Sequence, residues 1–241
     1  MLLFFALSAA AVCILTALEL SASPPSVGRW LNLQIWAIEL GVRLSILPLI
    51  AVGGSGSLVD ARAWPFWRAF PAFVLVIDFA EYLFHRTQHA FPFMWAMHSL
   101  HHSDSNMTAT TTERHFWGEQ IIKALTIWPL AFFVIRPSAG ALVGYAFFGL
   151  WNYAVHSSVP FHFGKWSWAL NSSAYHRRHH SSVPEHFNSN YAALLPIWDV
   201  VFGSYNRPDG FPPTGLAHRP AHVVDAVIWP LRRADRLQGG P

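Results

Sequence analysis

The chain has 241 residues, of which 53% are hydrophobic and only 12% are charged, and it contains 19 Phe and 12 Trp. Soluble domains carry about 25% charged residues, so this composition indicates an integral membrane protein. The formal net charge of +3 is small and the arginines form no continuous basic stripe, which argues against nucleic-acid binding. The single cysteine, Cys13, excludes a fold held by intramolecular disulfides.

Five apolar stretches are predicted to form membrane helices. A helix needs roughly 20 residues to cross a hydrocarbon core of about 30 Å. In chain order these stretches lie near 2–20, 30–51, 66–84, 119–135 and 139–157. The first lacks a basic n-region, so we expect a retained span rather than a cleaved signal. The last two are joined by RPSAG and predict a helical hairpin that crosses or re-enters the membrane.

We expect one all-α integral membrane domain, with four to five transmembrane or re-entrant helices and a cytosolic helical cap that carries the chemistry. Residues 1–65 would hold the N-terminal spans, 66–205 the catalytic region and 206–241 a C-terminal tail. In this arrangement twelve Lys and Arg residues lie on the side of the cap and three on the other side. Because cytoplasmic segments carry the excess of Lys and Arg, the cap is predicted to face the cytoplasm.

Three histidine boxes, HRTQH, HSLHH and HRRHH, are the main chemical feature of the sequence. Their histidines are His85, His89, His98, His101, His102, His176, His179 and His180. Helix positions i and i+4 share one face and i+3 flanks them, so each box presents two or three imidazoles in one direction. Neutral imidazole binds iron, zinc, copper and nickel, and eight imidazoles suit two five- or six-coordinate ions better than one tetrahedral ion.

The repeated spacing His-x-x-His-His argues against coincidence. With 14 His in 241 residues, chance gives about 0.05 such boxes per chain, and this sequence has two. A basic surface for lipid headgroups would account for Arg177 and Arg178 of the third box, but not for the repetition. These two arginines are expected to point away from the histidines, towards water or phosphate.

Acidic residues precede the first box on the same predicted helix. Asp78, Glu81 and Tyr82 lie seven, four and three residues before His85. Ionisable groups within a span are costly and usually functional. The two carboxylates are placed to accept the second ring N–H of a ligating histidine, which would fix its tautomer. The alternative is a carboxylate at the end of the helix that pairs with Arg86.

Two further histidines and one charged pair lie outside the boxes. His115, in TTERHFWGE, follows the second box closely enough to fold back on it, and His156 ends the last predicted span at the depth of His89. Spacing alone leaves open whether either residue is a ligand. Glu39 and Arg43, four residues apart in the second stretch, are interpreted as an internal ion pair without a chemical role.

Six segments carry a wider pattern: DFAEYLFHRTQH, WAMHSLHHS, ERHFWGE, NYAVHSSVPF, AYHRRHHSS and NSNYAALLPIWDVVFGSY. With them the chain resembles the fatty acid hydroxylase and sterol desaturase superfamily of membrane di-iron enzymes over about 78–205. The resemblance implies that the box histidines bind two iron ions, that His115 and His156 join them, and that Asn190 supports the ligands. The chain departs from the family at Ala192, where Gly is usual, and at Phe116, where Pro is frequent.

The resemblance implies O2-dependent hydroxylation or desaturation of a lipid, whether a sterol, fatty acyl, sphingoid, carotenoid or ether lipid. The sequence shows no flavin, haem or Fe–S motif, so a separate reductase, ferredoxin or cytochrome is expected to supply electrons. A histidine-rich membrane protein that binds or transports metal is the alternative, and it would need a polar pathway through the spans. A zinc hydrolase would be expected to show H-E-x-x-H or a Ser nucleophile elbow, and neither occurs.

Overall fold

A computed structural model describes residues 27–51 and 56–233 of the chain, together with residues 10, 13, 14, 17 and 19. The predicted first span at 2–20 therefore lies outside the described residues, apart from these five positions. The described part is mostly helical, in agreement with the predicted all-α class.

Five helices of eleven or more residues build the body of the described chain. They are α1 (Val27–Ala51), α2 (Phe66–Ala90), α3 (Pro92–His102), α4 (Trp117–Val134) and α5 (Ala139–His156). The second to fifth apolar stretches are thus confirmed as helices, α1, α2, α4 and α5. Within the described residues, no helix combines the length and apolar character needed to cross a membrane.

The remaining elements are short. They comprise α6 (Ser173–His179), α7 (Ile197–Val201), α8 (Val223–Val227), α9 (Trp229–Arg233) and 3-10 turns at Ala109–Glu113, Gly164–Trp166 and Pro184–His186. Two strands of two residues each, β1 (Val59–Asp60) and β2 (Ile135–Arg136), pair in parallel. This pairing ties the segment before α2 to the end of α4.

Helix α2 lies at the centre of the packing and contacts α3, α4 and α5. Its buried apolar residues, which recur at helical spacing, include Phe73, Ile77 and Phe84, and they pack against Ile127 of α4 and Ala141 of α5. A Cβ at Gly144 of α5 would lie 1.8 Å from the Phe70 ring, so this glycine permits the close approach of α5 to α2. Helices α4 and α5, which we predicted to form a hairpin, therefore both pack against α2.

Helix α1 packs on α4 and on the 3-10 turn at Ala109–Glu113, and a group of charged residues centred on the partly buried Arg43 joins it to the turn. Arg43 pairs with Glu39 at 2.6 Å, which confirms the predicted ion pair, and also with Glu113 at 3.0 Å. The Tyr153 hydroxyl donates to the other oxygen of Glu113. One arginine thus links α1 to the turn that follows the second histidine box.

Candidate metal centre

The histidines converge because they lie at the C-terminal ends of four helices. His89 is in the last turn of α2, His102 ends α3, His156 ends α5 and His179 ends α6. The C-terminal end of a helix carries a partial negative charge from its free carbonyl groups, which favours cations. The fold therefore brings four ends of the same electrostatic sign to one place, a costly arrangement unless positive charge is present.

One group of histidines, called cluster one, draws on all three boxes. Each member contributes one ring nitrogen, and these nitrogens all lie within 4.8 Å of one another. The members are His85, His89, His98, His102 and His179. His98, His102 and His179 are buried, whereas His85 and His89 are partly exposed.

A second group, called cluster two, consists of buried histidines whose ring nitrogens also lie within 4.8 Å of one another: His101, His156, His176 and His180. The Nε2 atom of His156 lies 3.1 Å from Nε2 of His101 and 3.0 Å from Nε2 of His176. Adjacent nitrogen ligands at about 2.1 Å from one metal ion are separated by about 3.0 Å in an octahedral arrangement. The spacing therefore matches the edge of a coordination sphere.

The two clusters form one continuous centre. His101 and His102 are neighbours in the chain but belong to different clusters, and so do His179 and His180. Across the boundary, the rings of His102 and His180 stack with centroids 4.3 Å apart. The double His-His pairs in the boxes thus provide one ligand to each half of the site.

Unpaired ring nitrogens show that this donor set fits metal ions. Among the described residues, nine buried histidine nitrogens have no hydrogen-bond partner: Nε2 of His85, His98, His102, His179 and His180, Nδ1 of His101 and His176, and both nitrogens of His89. A buried polar atom left unpaired costs about 1–3 kcal/mol. All nine belong to the two clusters, so bound metal is the simplest way to offset this cost.

Backbone carbonyls set the tautomers of three of these histidines. Nδ1 of His85 lies 2.7 Å from the Tyr191 carbonyl, and Nδ1 of His179 lies 2.7 Å from the Ser189 carbonyl. Nδ1 of His156 lies 2.7 Å from the carbonyl of Asn152, which is in the same helix. A carbonyl can only accept, so each Nδ1 carries the proton and each Nε2 keeps its lone pair. The lone pairs are thereby directed into the clusters.

His115 lies beside the clusters and is a member of neither. It groups instead with His98 and Glu119, and its Nδ1 lies 3.3 Å from Oε2 of Glu119. Its ring stacks on His101 with centroids 4.1 Å apart. Burial lowers the pKa of His115, but the neighbouring Glu119 carboxylate outweighs that effect and raises it. Its predicted role as a ligand remains a prediction.

A family model described as fatty acid hydroxylase matches residues 70–204, more than half of the chain. The chain belongs to the fatty acid hydroxylase family. The matched region contains every histidine of clusters one and two together with His115. The resemblance inferred from the six sequence segments is thereby confirmed.

Curated relatives come from the same superfamily. Alkylglycerol monooxygenase of Xenopus tropicalis is 37% identical over 59% of this chain and 30% of its own length. The human alkylglycerol monooxygenase is 33% identical over 67% of this chain and 35% of its length. An ornithine lipid hydroxylase of Rhizobium tropici is 29% identical over 60% of this chain and 44% of its length. The match thus spans about a third of the alkylglycerol monooxygenases, and no solved structure matches.

Two acidic residues that we predicted to support the box histidines bond elsewhere. The buried Asp78 carboxylate accepts from the backbone N–H groups of Leu194 and Leu195, at 3.0 and 3.1 Å, and from the indole N–H of Trp198 at 2.9 Å. Glu81 pairs with Lys123 at 2.7 Å. The prediction that they accept a histidine ring N–H is wrong. Asp78 instead anchors the segment NSNYAALLPIWDVVFGSY, residues 188–205, called the tail motif, and Glu81 is neutralised by Lys123 of α4.

Tyr82 and Asn190 support the loops around the site. The Tyr82 hydroxyl lies 3.0 Å from Oγ of Ser204 and accepts from Arg86 at 2.9 Å, so Arg86 pairs with a tyrosine rather than a carboxylate. Asn190 adopts a φ of 60°, in the left-handed region that Asn tolerates. Its side chain bonds both backbone groups of Asn206, at 2.7 and 2.8 Å. It is adjacent to the two carbonyls that hold His85 and His179.

Asp199 and Glu119 are buried carboxylates that sequence reasoning missed. Asp199 accepts from the backbone N–H groups of Tyr191 and Ala192 at 2.9 and 2.8 Å, and from the Tyr175 hydroxyl. Asp199 lies in the tail motif, which indicates that it could be important, but the motif does not identify its hydrogen-bond partners. Glu119 follows His115 by four residues, which was a usable helical signal.

The arginines of the third box are not free. Arg178 is buried, donates to Asn206 at 2.7 Å and pairs with Asp209. Arg177 donates to the Pro212 carbonyl at 2.7 Å, and its guanidinium lies 4.2 Å from the centre of the Phe211 ring. The expectation that they face water or phosphate is wrong: they fasten the segment after the tail motif to α6.

The metal-free protein is expected to lose stability as the pH falls below about 6.5. Burial lowers the pKa of His179 from 6.5 to about 3. The unfolded chain therefore takes up this proton first, and at pH 5.5 each such histidine costs about 1.4 kcal/mol of unfolding free energy. Thermal unfolding between pH 7.5 and 5.5 measures the effect. His179→Gln should make the pH dependence shallower, exposed His162→Gln should not, and a flat wild-type profile would contradict the assignment.

Proposed function

We propose that this chain is an oxidoreductase that uses two iron ions and O2 to hydroxylate or desaturate a lipid. The observation that carries the proposal is the continuous centre of nine histidines, in groups of five and four. An all-imidazole donor set accepts several transition metals, so geometry alone does not select iron. Membership of the fatty acid hydroxylase family, and relatives named as lipid hydroxylases and monooxygenases, support iron and a lipid.

Bound iron would supply the activation of dioxygen and the removal of hydrogen from a lipid C–H bond. The chain's own residues prepare the site for it. The carbonyls of Tyr191, Ser189 and Asn152 hold protons at Nδ1 and leave Nε2 free for coordination. The convergent helix ends favour cations, and burial of most ring nitrogens keeps bulk water away from them. Electrons would come from a separate reductase, ferredoxin or cytochrome.

An ether lipid is the substrate we propose to test first, because alkylglycerol monooxygenases are among the relatives. The apolar composition of the chain supports a place in a membrane, where such a substrate would be found. The excess of Lys and Arg on the cap side supports a cytoplasmic position for the histidines. Sterol, fatty acyl, sphingoid and carotenoid lipids are the alternative substrates, and the same experiment tests them.

Comparative lipidomics of cells with and without the full chain tests the proposal, combined with iron analysis of the purified protein. A product that gains one oxygen atom from labelled O2 would report hydroxylation, and a loss of two hydrogen atoms would report desaturation. We expect about two iron ions per chain. A protein that binds no iron and changes no lipid would contradict the proposal. Metal flux in proteoliposomes without lipid oxidation would favour the alternative of a metal-transport protein.

A further inference from the structure

The Glu119 carboxylate, in the first turn of α4, lies where four N–H groups converge. Its Oε2 accepts from the side-chain amide of Gln88 at 2.6 Å and lies 3.3 Å from Nδ1 of both His98 and His115. Its Oε1 accepts from the backbone N–H of Phe116 at 3.3 Å. The side chain is 1% exposed, so these contacts replace water as its partners.

This contact fixes the proton of His98. An ionised carboxylate can only accept, so Nδ1 of His98 carries the proton and its Nε2 keeps a lone pair. That Nε2 atom is buried without a partner and belongs to a residue of cluster one. Glu119 therefore determines which ring nitrogen His98 presents to the other members of the cluster.

Glu119 differs from the other groups that orient the cluster histidines. His85, His156 and His179 are held by neutral backbone carbonyls. Within the described residues, Glu119 is the carboxylate that hydrogen-bonds a member of either cluster. A carboxylate raises the basicity of the histidine that it orients, and loss of such a partner typically lowers metal affinity about 10- to 100-fold.

We propose that Glu119 is a positioning residue that strengthens metal binding at cluster one through His98, with Gln88 holding its carboxylate in place. Gln88 lies on α2 between His85 and His89, so the three bonded side chains connect α2, α3 and α4 behind the cluster. Cluster two contains no histidine that bonds Glu119. The inference rests on the proposed metal binding and predicts that the two ions respond differently to the same substitution.

Titration of the metal-free chain, residues 1–241, with Co2+ tests this inference. Glu119→Gln retains one acceptor oxygen and replaces the other with an NH2 group. Because four N–H groups converge on the carboxylate, the amide cannot accept from all of them. We expect the wild type to bind two ions, and Glu119→Gln to bind one of them about 10- to 100-fold more weakly while the other is unchanged. The visible absorption of Co2+ at the weakened site should also shift, which a merely structural substitution would not cause.

Glu113→Gln is the matched control, since Glu113 is a buried carboxylate that bonds Arg43 and Tyr153 and no histidine. It should lower thermal stability without changing either Co2+ affinity. If Glu119→Gln does not fold, Gln88→Ala tests the same contact and should weaken the same ion several-fold. Two unchanged affinities in the folded variant would overturn the positioning role. A wild type that binds no Co2+ would instead overturn the proposed metal centre.

Discussion

Substitution of His179 by Ala is expected to reduce the metal content from about two ions to about one and to abolish measurable lipid oxidation. His179 brings the third box into cluster one, where its ring lies 4.5 Å from that of His85 and 4.7 Å from that of His102, centroid to centroid. Loss of a ligand should exceed the roughly 10- to 100-fold cost of losing an outer partner. Iron analysis and lipid oxidation by the purified protein measure both effects.

The corresponding change in cluster two, His176→Ala, should have the same effect on activity. If both ions act as one unit, either single substitution removes nearly all activity, and the double variant is no worse than the single ones. His162→Ala is the control, because His162 is an exposed histidine in neither cluster. Full turnover by His179→Ala with an unchanged iron content would refute the role of cluster one.

Substitution of Asp199 by Ala is expected to lower the free energy of unfolding by about 4 kcal/mol, since it removes the shared acceptor of several buried donors and each donor left unpaired costs about 1–3 kcal/mol. Asp199 is fully buried, with 0% of its surface exposed. Besides Tyr175 and the two backbone N–H groups of the tail motif, it accepts from the Ser204 hydroxyl at 2.6 Å. Without it these donors are buried and unpaired, which accounts for the size of the loss.

The same substitution should loosen the metal centre, because Asp199 holds the backbone N–H of Tyr191 and the carbonyl of Tyr191 orients His85. Chemical denaturation in detergent, with iron analysis alongside, measures both consequences. Asp60→Asn is the control: Asp60 pairs with Arg62 on the surface, where such pairs contribute about 0–1 kcal/mol. A loss below about 1 kcal/mol for Asp199→Ala would contradict its proposed role.

The grouping of histidines on single helices was predictable from sequence because it rests on local spacing. In a helix, three- and four-residue intervals place side chains on one face, so His85 and His89, or His98 and His102, are grouped before any tertiary contact forms. The His-His pairs also indicate that the histidines divide into two groups. Neighbouring helical residues diverge by about 100°, which is why His101 and His102 enter different clusters.

The partners of the acidic residues were not predictable in the same way. Asp78 has helical spacing suited to His85, yet its oxygens bond backbone N–H groups more than a hundred residues later in the chain. Glu119 contacts His98 from a different helix, a contact that no interval in the sequence encodes. A carboxylate is satisfied by whichever donors the fold brings near it, so spacing on its own helix is a weak guide.

The sequence by itself determined the helical class of the described region, the family and the eight box histidines, because apolar periodicity and short intervals act within single helices, whereas spacing left His115 and His156 open. The tertiary structure alone decided how the eight box histidines divide into groups of five and three, that His156 completes the smaller group, and which backbone carbonyls orient the rings. It also showed that Glu119, rather than Asp78 or Glu81, is the carboxylate beside the site. These features depend on which helix ends meet, and that follows from the packing of α3, α4 and α5 around α2.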